Sequence, residues 1–419
     1  MTAYLSIFEG QSYALVMLVV AISCSLVVFR SSLILRTVIM TPGMWLAPIF
    51  YCLYIAIWNF ASPEIFGALI IELVILFTWL FVVRRLLKTI ADQQSAELVQ
   101  LRGWLKVGVF TQIIIGVVLF GQGGVGIFSE GSRIEYIADS RINLYLTYIS
   151  GLISGMLVPI AASVVSVRRK WDGWVLLYII LNLLLSVISG SKGAGLIQLI
   201  VLVCFINISD RNTYFDLVKT PMILGSIFIF ATVFVVGDFL NIEPWEMINL
   251  MFSRVFLVND GRALAIDFAS SLNRHSISLF QESFRGLATL TGHTPTNVAL
   301  GQLLYTLAFS TEGLTGANTS CTALLIAYGS EVEKVVYIIF IILIAFFLVW
   351  FACLGGKYSI LRLALVSILL NLLSQDFLAF QVTFNIVCAI FPFCYLAVNA
   401  RRLLRSSVVS KRLKIQISE

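Results

Sequence analysis

The 419-residue chain contains few charged residues, only two histidines and only eight prolines. Charged side chains make up 12% of the chain, about half of the fraction typical of a soluble domain. Hydrophobic residues make up 59%. This scarcity of charge excludes a cytosolic enzyme, a nucleic-acid-binding protein and a disordered protein.

The sequence also has little that resembles a metal or redox site. Its seven cysteines show neither zinc-binding spacing nor a disulfide framework. Neither a D-x-D nor an H-E-x-x-H motif occurs. We therefore expect no dedicated metal site and no cofactor.

Long apolar runs recur along the chain. A bilayer core of roughly 30 Å needs about 20 helical residues. Hydropathy therefore predicts an all-α polytopic membrane protein with about 11 transmembrane helices (10–12). The predicted spans are 11–29, 37–59, 66–83, 104–121, 143–167, 173–189, 194–208, 221–240, 335–354, 359–376 and 378–398.

The basic residues lie mostly on one side of this topology. With an external N-terminus, 20 of the 28 lysines and arginines fall in loops on one side or in the C-terminal tail. The positive-inside rule makes that side cytoplasmic. Orientation does not explain the eight external exceptions, which are the first candidates for function. They are Arg133, Arg141, Lys192, Arg254, Arg262, Arg274, Arg285 and Lys334.

One external segment, 241–334, is too long for a structureless connection, so we expect it to be partly helical and functional. Within it, 317–328 is apolar but too short to span, which favours a re-entrant or buried piece. Ser330 to Glu333 predicts a capping box that begins the next helix. The predicted organisation is one integral-membrane domain. Its parts are an N-terminal bundle of about eight helices (1–240), the periplasmic loop (241–334), C-terminal transmembrane helices (335–400) and a basic cytoplasmic tail (401–419).

The most distinctive short motif is the polar turn Ser189–Gly195, which contains Lys192 and three glycines. Glycines let a backbone approach a ligand closely, amides at a helix start favour anions, and Lys192 adds a full charge. The turn is therefore suited to a phosphate. The alternative is a plain hairpin turn in which Lys192 extends to water.

Four arginines lie within 32 residues of the large loop, namely Arg254, Arg262, Arg274 and Arg285. Arginine binds phosphate oxygens in a bidentate manner, so such a cluster beside a membrane favours a lipid diphosphate. Residues 275–287 have helical periodicity, and we expect Glu282 and Arg285 to form an ordinary ion pair there. The loop carries eight acidic and five basic residues, so its overall charge is negative. A cationic site can therefore form only if the fold brings several of the basic side chains together.

The same loop contains the candidate bases. Asp260, beside Gly261 and Arg262, is the first choice, with Glu312 in reserve. His275 and His293 can act as bases near neutral pH, although a single loop histidine is more often only hydrogen-bonded.

Glu72 is the one clear ionisable residue well inside a predicted span. Burying its charge costs about 2.5 kcal/mol or more, so it is a functional hypothesis by default. The alternative that we prefer is a neutral Glu72 hydrogen-bonded between helices.

The turn Ser189-Gly190-Ser191-Lys192-Gly193 resembles the Ser/Gly-Gly-Ser/Thr-Arg/Lys turn of Wzy-type polymerases, which polymerise O-antigen and related oligosaccharide repeat units. Arg254 and Arg262 fall where that family places loop arginines, and 316–329 resembles its return to the membrane. Two features depart from the family. Lys192 stands where arginine is common, and no external arginine is followed by glycine after ten residues.

The resemblance implies a GT-C-like architecture and a multi-pass glycosyltransferase of the bacterial inner membrane that works at the periplasmic face, with a cytoplasmic C-terminus. Its substrate would be an oligosaccharide linked to undecaprenyl diphosphate, and the lipid tail of that carrier would lie in the membrane lipid. Its partners would include a chain-length regulator and a flippase of the same lipopolysaccharide pathway. Lys192, Arg254, Arg262 and Arg285 would bind the diphosphate, Arg262 would also assist catalysis, and Asp260 or His293 would be the base.

Two alternatives stay open. A ligase of the O-antigen type would use the same donor but a different acceptor. A transporter of lipid-linked sugars or small solutes would depend on Glu72, although transporters typically show several polar or broken helices near the membrane midplane.

Overall fold

The computed structural model describes residues 63–92, 97–123, 141–189, 194–208, 210–239, 243–245, 264–265, 268, 278–285, 300–309, 319–354, 358–375 and 377–388. All regular secondary structure within these ranges is helical.

The helices are numbered in chain order. The first six are α1 (Pro63–Ala91), α2 (Leu98–Gly123), α3 (Arg141–Arg168), α4 (Gly173–Ile188), α5 (Ala194–Phe205) and α6 (Arg211–Ala231). A π-helical turn at Thr232–Val236 and a helical turn at Gly237–Phe239 continue α6. The others are α7 (Leu279–Ser283), α8 (Leu300–Phe309), α9 (Cys321–Ala327), α10 (Glu331–Cys353), α11 (Ser359–Gln375) and α12 (Phe377–Cys388).

Five of these helices, α1, α2, α3, α6 with its π-turn, and α10, are long and apolar enough to cross a membrane. Shorter apolar helices are α4, α5, α11 and α12. The chain is therefore an α-helical membrane protein, as predicted. Each of the nine predicted spans from 66–83 onward overlaps a described helix, whereas the spans at 11–29 and 37–59 lie outside the described residues. The total of eleven stays a prediction.

The ends of the helices form two opposite faces of the bundle. At one face Arg85 of α1 donates to Cys353 Sγ at the end of α10, and Trp171 donates through Nε1 to Leu217 O of α6. Arg84, Lys88, Arg102, Arg168, Arg169, Lys170 and Lys219 belong to the same helix ends. We call this face the basic end. The opposite face, where α9 and α10 meet α7 of the large loop, is the loop end.

Helix α1 buries one face along its whole length. The buried positions recur every three or four residues, the spacing of one helix face. Phe66, Phe77 and Phe81 are 46–65% exposed, which is typical of a helix side that faces lipid. Helix α1 packs against α9, α10 and α11. The buried apolar residues along the centre of this face are Ala68, Ile71, Ile75, Trp79, Val82, Leu86 and Ile90.

The piece predicted to be re-entrant or buried is confirmed as α9. All seven of its residues are buried, and α1, α10 and α11 surround it. The helical pattern at 275–287 is present in the described residues as the five-residue α7. Residues 275–277 and 286–287 of that pattern lie outside the described residues.

Candidate functional site

Arg285, a predicted site residue, lies at the loop end just after helix α7. The Nε atom of Arg285 lies 2.8 Å from Oε1 of Glu282, and both side chains are mostly buried. The backbone N–H of Leu300 donates to the same Oε1 at 3.4 Å. The expected ion pair is therefore present, and it fixes the orientation of the guanidinium.

Tyr328 lies beside this pair. Its side chain is buried, and its hydroxyl has no hydrogen-bond partner among the described residues. Burial raises the pKa of the Tyr328 phenol, the Glu282 carboxylate raises it further, and Arg285 opposes them. The hydroxyl is therefore a protonated donor at neutral pH. We call Glu282, Arg285 and Tyr328 the loop-end cluster.

Glu333 fastens the large loop to the transmembrane helix α10. Its Oε2 accepts from the N–H of Ser330 at 3.0 Å, and Ser330 Oγ accepts from the N–H of Glu333. Its Oε1 accepts from Ser278 Oγ at 2.6 Å, at the start of α7. Gly329 has a φ of +89°, and a Cβ there would lie 2.9 Å from Leu279 Cβ. The loop end is therefore rigidly connected to the bundle.

Glu72 is the centre of a second polar site, within the membrane. It is fully buried on α1. Its Oε1 accepts from Thr322 Oγ1 of α9 at 2.7 Å, and its Oε2 accepts from Ser374 Oγ of α11 at 3.1 Å. The expected hydrogen bonding between helices is confirmed. Helix α9 begins near this carboxyl group, and helix α11 ends near it.

A third polar site joins α2, α3 and α4 at mid-height. Gln112 donates through Nε2 to Ser154 Oγ and, at 3.1 Å, to Asn182 Oδ1. Ser154 Oγ donates to Asn182 Oδ1 at 2.6 Å. The Gln112 Oε1 atom is buried and has no partner among the described residues. Such a network fixes how the three helices pack.

Most predicted site residues lie outside the described residues. These are Lys192, Arg254, Asp260, Arg262 and His293. Lys192 follows the end of α4 at Ile188 and precedes the start of α5 at Ala194, so the predicted break between two apolar helices is present. Arg285 is the predicted site residue whose side chain the structure describes.

Sequence reasoning missed Tyr328, Gln112 and Asn182. The signal for the two amides was present, because each lies in the middle of an apolar run. For Tyr328 there was no such signal, since a tyrosine at the end of an apolar segment is ordinary.

No protein-family model, curated protein or solved structure gives a significant match to this chain.

Proposed function

We propose that the chain is a glycan polymerase of the bacterial inner membrane. It transfers a glycan from polyprenyl diphosphate to the terminal sugar of a second lipid-linked repeat unit at the periplasmic face. Three features support this proposal. The 189–193 segment resembles the turn of Wzy-type polymerases, several basic residues lie on the predicted external side, and the loop-end cluster contains an arginine beside a tyrosine.

The reaction breaks the bond between the anomeric carbon and the diphosphate oxygen. It forms a bond from that carbon to an acceptor hydroxyl oxygen, and the hydroxyl proton goes to a base. Negative charge grows on the departing diphosphate, and preorganised cations stabilise such charge strongly. We assign this role to Lys192, Arg254 and Arg262, with Arg285 as a weaker fourth, and the base to Asp260 or His293.

One observation carries the proposal: the mostly buried Arg285 interacts electrostatically with Tyr328, whose hydroxyl has no hydrogen-bond partner among the described residues. Glu282 neutralises part of the Arg285 charge, which agrees with a secondary role. Arginine and a protonated phenol both donate to oxygen, and a diphosphate presents only acceptor oxygens.

The test compares glycan chain lengths in cells whose own polymerase is replaced by each variant. Arg254→Ala and Arg262→Ala should each leave single, unpolymerised units, because losing one such donor costs about 10²- to 10³-fold in rate. Arg285→Gln should shorten the chains, with a loss of about tenfold. Lys219→Ala, which removes an exposed cation at the basic end, is the control and should preserve chain length.

The protein level in the membrane must stay at the wild-type value for each variant to be informative. Wild-type chain lengths from both Arg254→Ala and Arg262→Ala would remove the proposed diphosphate site.

A transporter of lipid-linked sugars or solutes is the second candidate. The hydrogen-bonded Glu72 beside the short helix α9 favours it, since transporters build midplane sites from broken helices. Under this candidate, Glu72→Gln abolishes activity and Arg262→Ala is tolerated. Under the polymerase proposal, the Glu72→Gln variant retains polymerisation.

A further inference from the structure

The surface where α2 packs against α4 at the basic end concentrates positive charge. Arg102 of α2 lies 3.0 Å through Nε from Asp172 Oδ2, and Arg168 at the end of α3 pairs with the same oxygen. Lys106, one helical turn beyond Arg102, places its Nζ 5.2 Å from the centre of the Trp174 ring. We call the surface that these residues form between the two helices the basic groove.

The carboxylate of Asp172 does not balance these cations. Asp172 is buried, and its Oδ1 accepts from the N–H of Trp174 at the start of α4. Arg102 and Arg168 share this one carboxylate, and Lys106 over the Trp174 ring adds a third positive charge, so the four side chains carry a net charge of +2. The side chains of Arg102 and Arg168 are 37% and 28% exposed, which leaves both accessible to an anion.

Apolar side chains continue the groove toward the middle of the bundle. Phe110, one turn beyond Lys106, packs against Trp174 with the two rings tilted by 50° and their centres 5.7 Å apart. Phe110, Ile114 and Leu177 are 55%, 64% and 38% exposed. The groove therefore has cationic groups at the helix ends, an aromatic pair next to them and exposed apolar surface beyond. This order matches the headgroup, interface and acyl chains of a phospholipid.

We propose that the basic groove binds an anionic phospholipid. The phosphate lies between Arg102, Arg168 and Lys106, and the acyl chains lie along Phe110 and Ile114. The exposed apolar surface favours a lipid over free phosphate. This inference does not depend on the proposed function, because the groove is at the opposite end of the bundle from the loop-end cluster.

The test uses the purified full chain in detergent, titrated with phosphatidylglycerol or phosphatidylcholine, with bound lipids counted by native mass spectrometry. Phosphatidylglycerol should bind more tightly. Lys106→Gln should weaken its binding about fivefold, and Arg102→Gln combined with Lys106→Gln about 25-fold, at about fivefold per basic residue. The matched control, Arg84→Gln with Lys88→Gln, removes two exposed charges from α1 at the same end and should change binding less than twofold.

Lys106 is exposed, so Lys106→Gln tests the proposal even where the double variant does not fold. Three results would overturn it: equal binding of the two lipids, an equal loss in the α1 control, or complete displacement of phosphatidylglycerol by millimolar inorganic phosphate. The last result would identify a free-phosphate site instead.

Discussion

Two buried tyrosines illustrate how single side chains differ in this bundle. Tyr178 of α4 donates its hydroxyl to Ser154 O at 2.7 Å. Tyr328 is equally buried, and its hydroxyl has no partner within the described part of the chain. A buried donor without a partner costs about 1–3 kcal/mol. Such a cost is expected where a ligand supplies the missing acceptor.

The same substitution at the two tyrosines should therefore have opposite effects on stability. Tyr328→Phe removes an unsatisfied donor and should raise the free energy of unfolding by about 1 kcal/mol. Tyr178→Phe removes a hydroxyl that has a hydrogen-bond acceptor, so it should lower the free energy of unfolding by about 1 kcal/mol. Denaturant unfolding in detergent micelles measures both. Equal losses would mean that Tyr328 has a partner beyond the described residues.

At the scale of helices, local signals in the sequence were reliable. The capping box at Ser330–Glu333 and the buried segment α9 are confirmed. The glycines Gly151 and Gly155 have the four-residue spacing that favours close helix packing. At Gly155 a Cβ would lie 2.8 Å from Ile368 Cδ1 of α11, so α3 and α11 pack closely there. At the Cβ position of Gly151, no atom of the described residues lies within 4 Å, so the described part of the chain shows no such contact there.

The capping box gives a prediction for α10. Ser330→Ala should lower the free energy of unfolding by about 1 kcal/mol, because the N–H of Glu333 loses its acceptor. The control is Thr111→Ala, which removes a hydroxyl bonded only within its own helix turn and should be nearly neutral. Thermal unfolding of the detergent-solubilised protein checks both. An equal effect of the two substitutions would contradict a specific capping role.

At the scale of the whole molecule, the distribution of charge defines two ends. Lys170 is exposed at the basic end, and Glu331, with a side chain that is 72% exposed, lies at the loop end. The positive-inside rule predicts that the basic end is cytoplasmic.

Cysteine labelling tests this orientation. In spheroplasts, a membrane-impermeant maleimide should label Glu331→Cys more than the parent chain, and Lys170→Cys only after lysis. The parent chain is the control because Cys388 is exposed. The reverse pattern would place the large loop in the cytoplasm and remove the basis for a periplasmic active site.

The sequence determined the class of the protein. Long apolar runs, placed between basic loops, specify membrane helices because hydrocarbon excludes unpaired backbone groups. The Glu282–Arg285 pair was equally predictable, since its two members are three residues apart in a segment of helical periodicity.

Only the tertiary structure brought together residues that are far apart in the chain. Glu72 meets Thr322 and Ser374 from 250 and 302 residues away, and Arg102 meets Asp172 from another helix. Periodicity tells which face of a helix is apolar, but it does not tell which helix packs against that face. That choice depends on side-chain shape and on satisfying every buried polar group at once.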